Sequence, residues 1–200
     1  KITIHSKENN TNDLMVEFDE LDAESFCNYL NQTEPTFYGR MSGSIDIQSF
    51  ATNPLIVAEM HSTNNLRMNQ DTLGFVQVNA SYDVSKQIVH VTQPSSLKRD
   101  NNEASVVGLL NLKDSIIQMQ ANVNNWSIAF LNPFLSDYIK NLQGFSTGEV
   151  SLNGRLANPS LQGNLRTENV QCKVVYLGTT YKTKNLNLSL TNEIIQAEPF

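Results

Sequence analysis

Apolar and polar residues alternate with a period of two along much of this chain, and this alternation is the feature that most constrains its fold. It is clearest at residues 76–84 (VQVNASYDV) and 186–190 (LNLSL), with shorter versions at 2–4, 16–18, 45–47, 119–123 and 150–152. Because successive side chains of a strand point to opposite faces, each segment would place its apolar residues on one face. The sequence therefore predicts a mainly β protein of antiparallel, meandering strands whose sheet is hydrated on one face only.

Two segments depart from the alternation and indicate short helices. In residues 132–144, Asn132 suits an N-cap, Pro133 the first helical position and Gly144 the C′ position. An apolar stripe at helical spacing follows, formed by Phe134, Leu135, Tyr138, Ile139 and Leu142. The earlier segment, 21 to about 31, groups Phe26, Tyr29 and Leu30 in the same way. We expect the helices to pack on the apolar face of the sheet, and Phe134, Tyr138 and Leu142 to plug it or to dock outside it.

An internal repeat relates the two halves of the chain. A shift of 105 residues aligns turn residues without a gap: Gly39 with Gly144, Gly43 with Gly148, Asn53-Pro54 with Asn158-Pro159, and Asn64 with Asn169. After a one-residue deletion, Leu73-Gly74 aligns with Leu177-Gly178. The sequence thus predicts one continuous β-repeat segment with copies at about 16–90 and 121–195, each burying its apolar face with its neighbours.

The charge balance argues against a nucleic-acid partner. The formal net charge is −6 with only 14 Lys and Arg residues, and no basic cluster is evident along the sequence, whereas nucleic-acid binding requires a positive footprint. No apolar run approaches the roughly 18 residues of a spanning helix. The chain starts at Lys1 and a strand-like segment runs to Phe200, so we expect it to be a piece of a longer protein.

Cys27 and Cys172 are the only cysteines. Their separation excludes a C-x-x-C zinc or redox motif. A disulfide in an oxidising compartment and two separate, mostly buried thiols both remain open.

The sequence contains one match to a catalytic motif, but the elements around it argue against a catalytic role. Gly144-Phe-Ser146-Thr-Gly148 matches the G-x-S-x-G nucleophile elbow, which requires a strand before the Ser, a helix after it and a later His. The predicted order is helix, Gly, strand, and no His follows Ser146. The other repeat copy carries Met41 at the equivalent position. We therefore interpret Ser146 as a turn residue.

The sequence gives equally little support for other catalytic or metal-binding sites. His5, His61 and His90 are dispersed, without zinc-ligand spacing. The acidic run at residues 17–24 lies at a predicted helix start, where negative charge is favourable. The sequence predicts no enzyme activity, no metal and no cofactor.

The second repeat copy resembles the TamB family of the AsmA-like superfamily. The residues that carry the resemblance are Gly144, Gly148, Val150, Leu152 and Gly154, then Asn158, Pro159, Gly163 and Leu165, then the segment 175–181. It covers residues 125–200 closely and 16–90 loosely, where Ser49 and Ala58 replace the glycines equivalent to Gly154 and Gly163.

The resemblance implies a structure and a task. Family members are anchored in the inner membrane and cross the periplasm of Gram-negative bacteria, and their repeats form a curled, taco-like β-groove that is apolar inside. With an outer-membrane barrel partner of the TamA or BamA class, they are implicated in outer-membrane assembly, through phospholipid transfer or through help with inserting and secreting barrel proteins.

Three functions follow as hypotheses. The first is a groove for phospholipid acyl chains, lined by alternating apolar residues: Val76, Val78, Val84, Val150, Leu152, Leu186, Leu188 and Leu190. The second is a scaffold whose edge strands pair with strands of client β-barrel or secreted proteins. The third is an unrelated extracellular β-sandwich that binds glycans, for which the single Trp126 offers little platform. For each apolar position, the core of a closed sandwich is the competing interpretation.

Overall fold

The computed structural model describes residues 1–7, 10–25, 37–68, 71–191 and 195–198. Strands make up 77% of it, as 14 strands that pair antiparallel with their neighbours, with almost no helix. The predicted fold class, mainly β with meandering antiparallel strands and short helices, is confirmed. The chain divides into two compact units, residues 1–100 with 105–116, and residues 101–104 with 117–200.

Unit 1 follows a meander with one side ladder. Its strands pair in the order β1-β2-β4-β5-β7-β8-β9, and short β3 pairs β6, which in turn pairs β7. Their bounds are β1 Ile2–Lys7, β2 Asn10–Asp22, β3 Phe37–Tyr38, β4 Arg40–Gln48, β5 Leu55–Ser62, β6 Leu66–Met68, β7 Asp71–Asp83, β8 Ile88–Arg99 and β9 Asn102–Asn111.

Unit 2 is a simple up-and-down meander, β10-β11-β12-β13-β14. Its elements are β10 Ile116–Ser127, a 3-10 turn Ile128–Leu131, a single α-helical turn α1 Asn132–Leu135, β11 Ile139–Arg155, β12 Asn158–Val174, β13 Thr179–Leu190 and β14 Ile195–Glu198. Each antiparallel neighbour satisfies the backbone N–H and C=O groups of the last, which is the reason a polar-faced strand can be stable here.

The 105-residue offset is present in the strand pairing. Gly43 of β4 lies opposite Met60 of β5, and Gly148 of β11 lies opposite Leu165 of β12. Every residue pair between β4 and β5 has a counterpart 105 residues later between β11 and β12. The repeated sequence pattern therefore corresponds to a repeated hairpin, whereas the copy boundaries at about 16–90 and 121–195 stay a prediction.

The repeated glycine has a steric reason. A Cβ added to Gly43 would lie 2.2 Å from the backbone oxygen of Glu59, and one added to Gly148 would lie 2.2 Å from the backbone oxygen of Asn164. Glu59 and Asn164 are themselves 105 residues apart. Both hairpins thus bring the facing strand too close for any residue larger than glycine.

A second structural feature also repeats with the 105-residue offset: a residue with positive φ whose backbone N–H bonds to a side-chain hydroxyl. Glu20 and Asn125 both adopt positive φ, 54° and 50°. The N–H of Glu20 donates to Oγ of Ser42 at 2.9 Å, and the N–H of Asn125 donates to Oγ1 of Thr147 at 3.0 Å. At each site the strand is locally irregular, and a hydroxyl from the next strand accepts a backbone N–H.

The two copies of this hydroxyl differ in exposure, which gives a prediction. Ser42 is buried and also donates to Oδ1 of Asp19 at 2.9 Å, whereas Thr147 is exposed. We expect Ser42→Ala to lower the free energy of unfolding by about 1–3 kcal/mol, because a part-buried N–H loses its acceptor and Oδ1 of Asp19 loses its donor. Thr147→Val should cost less than about 0.5 kcal/mol, since water can replace the hydroxyl. Urea titration followed by circular dichroism measures both, and equal costs would contradict the explanation.

The offset does not extend to the next strand. Met60 faces Val78, but Leu165 faces Leu188, so 110 residues separate the partners. Ser62 of β5 bonds to Val76 of β7, 14 residues later in the chain. Thr167 of β12, its counterpart, bonds to Leu186 of β13, 19 residues later. The predicted equivalence of Leu73-Gly74 with Leu177-Gly178 is therefore wrong: Gly74 lies within β7, and Gly178 lies in the turn after β12.

The predicted helix over 132–144 is also wrong beyond its first turn. From Ile139 the chain is strand β11, and Gly144 lies inside that strand rather than at a helix end. Asn132 does not cap a helix; its side-chain amide donates to the oxygen of Leu142 and accepts from its N–H, at 3.2 and 3.1 Å. Pairing of Ile139 with Val174 shows why: the long ladder with β12 outweighs a local pattern that suits a helix equally well.

The earlier helix is described only at its start. Residues 23–25 are helical, while Leu21 and Asp22 belong to β2, so the predicted start at 21 is too early. Oδ2 of Asp22 accepts the N–H of Ser25 at 2.9 Å, and this bond lowers the pKa of the Asp22 carboxyl. Phe26, Tyr29 and Leu30 lie outside the described residues.

Candidate ligand-binding face

In unit 1, the strand register collects the apolar residues on one face. Residues directly opposite each other share a face, and the pairing runs from β1 to β8 without changing it. The members are Ile2, Ile4, Leu14, Val16, Phe18, Leu21, Met41, Ile45, Ile47, Ile56, Ala58, Met60, Val76, Val78, Ala80, Tyr82, Val89, Val91 and Leu97. We call this set the unit 1 apolar face.

The opposite face of the same strands is mostly polar, although it also carries Leu55 and Val57 of β5. It carries Ser44 and Asp46 of β4, Glu59 and His61 of β5, and Gln77, Asn79, Ser81 and Asp83 of β7. Nε2 of Gln48 donates to Oδ2 of Asp46 at 2.8 Å on this side. The sheet of unit 1 is therefore amphipathic, as the alternation predicts.

The unit 1 apolar face is half-open. Of its members only Phe18 is buried; Ile2 and Ile4 are 57% and 66% exposed, and the others are half-buried. A sealed sandwich core would bury most side chains of this kind. A partly covered apolar surface of this length is typical of a binding surface.

In unit 2, the face that carries the alternating apolar residues of β11, β12 and β13 is less exposed to solvent. Val150, Leu165, Leu188 and Leu190 are buried, with Leu152, Leu161 and Leu186 half-buried beside them. The register puts Val150, Gly163 and Leu190 in one row across three strands. The turn at 128–135, with buried Ile128, Leu131 and Leu135, contacts β11.

The predicted lining residues thus have different environments. Val76 and Val78 lie half-buried on the unit 1 apolar face, and Leu152 and Leu186 are half-buried in unit 2. Val150, Leu188 and Leu190 are buried. Val84 is not a strand residue: β7 ends at Asp83, and the N–H of Val84 donates to the oxygen of Pro54 at 3.1 Å in the following turn.

The three predicted plug residues do not form a helical stripe. Tyr138 lies in a turn and is 67% exposed, whereas Leu142 is a buried residue of β11. The side chain of Phe134 lies outside the described residues. Because the segment is a strand from Ile139 onwards, the helical spacing that grouped them does not apply.

Ser146 lies in the middle of strand β11 rather than in a turn, which corrects the sequence interpretation. Its side chain is buried, and its Oγ donates to the backbone oxygen of Trp126 at 3.1 Å. The surrounding structure is strand on both sides, without the strand-to-helix turn that the nucleophile elbow requires.

Buried hydroxyls were missed by the sequence analysis. The buried polar side chains of the described residues are Ser42, Ser62, Ser95, Ser146 and Thr167. Each is bonded to the main chain of a neighbouring strand: Oγ of Ser62 accepts the N–H of Val76 at 2.8 Å, and Oγ1 of Thr167 donates to the oxygen of Leu186 at 2.7 Å. Their role is to complete strand pairing.

The three histidines and Asp83 lie outside the unit 1 apolar face. His5, His61 and His90 are all exposed, and within the described residues no group of three His, Cys, Asp or Glu side chains could hold a metal ion. Hydrogen bonds from Thr63 and Arg40 lower the pKa of Glu20, and those from Lys86 and Ser85 hold the pKa of Asp83 far below its ordinary value. Cys172 is a half-buried free thiol whose pKa is raised by burial; Cys27 lies outside the described residues.

These observations define an amphipathic antiparallel β-sheet protein whose apolar face in unit 1 is partly exposed. In the described part of the chain, no helix is long and apolar enough to cross a membrane. Comparison with protein-family models, with curated proteins and with solved structures gives no match.

Proposed function

We propose that this chain binds phospholipid acyl chains along its apolar sheet face and acts as a conduit segment between two membranes. The observation that carries the proposal is the half-open unit 1 apolar face, which extends over β1, β2, β4, β5, β7 and β8 with a polar face behind it. A ligand for this face must be apolar and extended.

The energetics explain why such a face is useful. Each methylene withdrawn from water is worth about 0.8 kcal/mol, so a tail of ~15 methylenes costs roughly 12 kcal/mol to expose. A continuous apolar strip lowers that barrier without any bond being made or broken. The conduit therefore requires no nucleophile, metal or cofactor.

The resemblance to the TamB family supplies the biological setting of the proposal. The chain would be a periplasmic segment of a longer protein anchored in the inner membrane of a Gram-negative bacterium. It would act with an outer-membrane barrel partner of the TamA or BamA class in outer-membrane assembly.

The direct test is the lipid content of the purified chain. After expression in a Gram-negative host, native mass spectrometry and lipid extraction should find phospholipid bound to the folded protein. Incubation with labelled phospholipid followed by gel filtration should give the same result in vitro. A folded protein that is lipid-free in both experiments would contradict the proposal.

Strand pairing with client proteins is the second candidate, and strand β1 favours it. Within the described residues, β1 pairs only with β2, and its Ile2 and Ile4 are exposed. An edge of this kind is a template for another strand. Photo-crosslinkers at Thr3 and His5 should capture strands of barrel proteins if this function holds, and capture of lipid alone would contradict it.

A further inference from the structure

The turn between β12 and β13 carries an unusual set of exposed apolar side chains. Val175, Tyr176, Leu177 and Gly178 form this turn, with Tyr176 95% and Leu177 55% exposed. The N–H of Gly178 donates to the oxygen of Val175 at 3.3 Å, and Gly178 has φ 65°. A turn needs Gly, Asn, Asp, Ser or Pro for its geometry, but nothing in turn geometry calls for Tyr-Leu at its centre.

A second exposed aromatic residue is fixed beside this turn. The N–H of Val175 donates to the backbone oxygen of Tyr138 at 2.9 Å, and the side chain of Tyr138 is 67% exposed. Tyr181, two residues into β13 from the turn, is also exposed. Three tyrosines and a leucine are therefore presented to solvent at one end of this hairpin.

Lysines surround the same end. Lys140 of β11 lies directly opposite Lys173 of β12, and Lys182 and Lys184 of β13 are exposed nearby. Like charges placed opposite each other weaken a sheet, so the charges of this pair do not stabilise the fold. Residues 169–191 contain three Lys and no Asp or Glu, and 138–148 contain Lys140 alone. The flanking acids are Asp137 and Glu168, both exposed.

We propose that this end of the hairpin docks on the surface of an anionic phospholipid bilayer. We call it the tyrosine-lysine tip, formed by Tyr138, Lys140, Lys173, Tyr176, Leu177, Tyr181, Lys182 and Lys184. Tyrosine has an apolar ring and a polar hydroxyl, which suit the headgroup region, and Leu177 can enter the acyl boundary. The lysines are attracted to anionic headgroups.

Charge complementarity favours docking of the tyrosine-lysine tip, rather than of the rest of the chain, on an anionic bilayer. The whole chain is negative, at −6, so an anionic membrane repels most of it and attracts this tip. The tip would thereby set the orientation of the hairpin on the membrane. This inference concerns a bilayer surface and a different set of residues from the unit 1 apolar face, so it goes beyond the proposed acyl-chain binding.

Vesicle flotation with the 200-residue chain tests the inference. We expect binding to vesicles of phosphatidylcholine and phosphatidylglycerol at 7:3, much weaker binding to phosphatidylcholine alone, and loss of binding as salt rises. Each lysine near an anionic surface contributes a factor of about five, so Lys173→Glu should weaken binding at least about five-fold. The double change Tyr176→Ser with Leu177→Ser should weaken it on both kinds of vesicle.

The control changes lie in the turn between β9 and β10, which also presents an exposed leucine and a lysine. Leu112→Ser and Lys113→Glu should leave vesicle binding unchanged. Far-UV circular dichroism confirms folding of each variant. Equal losses for control and tip variants, or equal binding to neutral and anionic vesicles, would overturn the inference.

A fluorescence measurement locates the contact. In Tyr176→Trp, brominated lipid should quench the new indole, whereas the native chain, whose only Trp is Trp126, should show little quenching on the same vesicles. Quenching of Trp126 alone would contradict docking by the tip. Binding of the chain to soluble polyglutamate but not to anionic vesicles would indicate an acidic protein partner and would also overturn it.

Discussion

Replacing Gly148 with alanine is expected to lower the free energy of unfolding by about 3 kcal/mol or more. The new Cβ would lie 2.2 Å from the backbone oxygen of Asn164 and 3.2 Å from Cα of Leu165. Both atoms belong to the main chain of β12, which is held by the ladder with β11 and cannot rotate away as a side chain could. Relief of the clash requires the two strands to separate, which breaks pairing between β11 and β12.

Gly154 provides the matched control in the same strand. It also has positive φ, 116°, but its added Cβ would find nothing nearer than 3.8 Å. Gly154→Ala should therefore carry only the conformational cost of a Cβ at positive φ, about 1 kcal/mol. Gly43→Ala, at the equivalent position of unit 1 and 2.2 Å from the oxygen of Glu59, should resemble Gly148→Ala. Urea titrations of the three variants decide the matter, and a Gly148 variant no less stable than the Gly154 variant would refute the steric explanation.

The same glycines account for the apparent catalytic motif. Gly144 and Gly148 are both required by close approach of β12, since added Cβ atoms would lie 2.8 Å from the oxygen of Glu168 and 2.2 Å from that of Asn164. Ser146 lies between them because its hydroxyl bonds to Trp126 across the ladder. G-x-S-x-G arises here from strand packing. The sister copy keeps both glycines, of which Gly43 makes the same close main-chain contact, and has Met41 in place of Ser146.

The sequence predicts well whatever depends on a two-residue period or on steric exclusion. The face shared by Val76 and Val78 follows from alternation alone, and the glycine match between Gly43 and Gly148 follows from a contact that admits no other residue. These features leave a mark on the sequence because few residues satisfy them.

Features that depend on a distant partner were not predictable. The segment after Asn132 has a helix-like apolar spacing, and only its partner Val174 in β12 makes it a strand. Lys140 and Lys173 are far apart in the chain and form no basic run, so the charge of the tyrosine-lysine tip becomes evident only from the pairing of β11 with β12. The hydroxyls that accept a backbone N–H from a neighbouring strand, such as that of Ser42, belong to residues that look in sequence like solvent-facing serines.

A single carboxylate on the unit 1 apolar face is expected to abolish most acyl-chain binding. Val78 is half-buried and lies opposite Met60, in the middle of that face. In Val78→Glu, a bound chain would have to dehydrate the introduced carboxylate, and we expect lipid retained per protein to fall at least about ten-fold. Lipid extraction with mass spectrometry and displacement of a fluorescent fatty acid both measure the loss.

The strand itself supplies the control, because Gln77 is the neighbouring residue on the opposite, polar face, where it lies across from His61. Gln77→Glu adds the same charge without touching the proposed site and should bind lipid as the native chain does. Apolar surroundings raise the pKa of a carboxyl, so the introduced group in Val78→Glu should become neutral as the pH falls, and binding should recover towards that of Val78→Gln, which itself should not depend on pH. If folded Val78→Glu protein retains lipid at neutral pH as well as Gln77→Glu does, acyl chains do not bind this face.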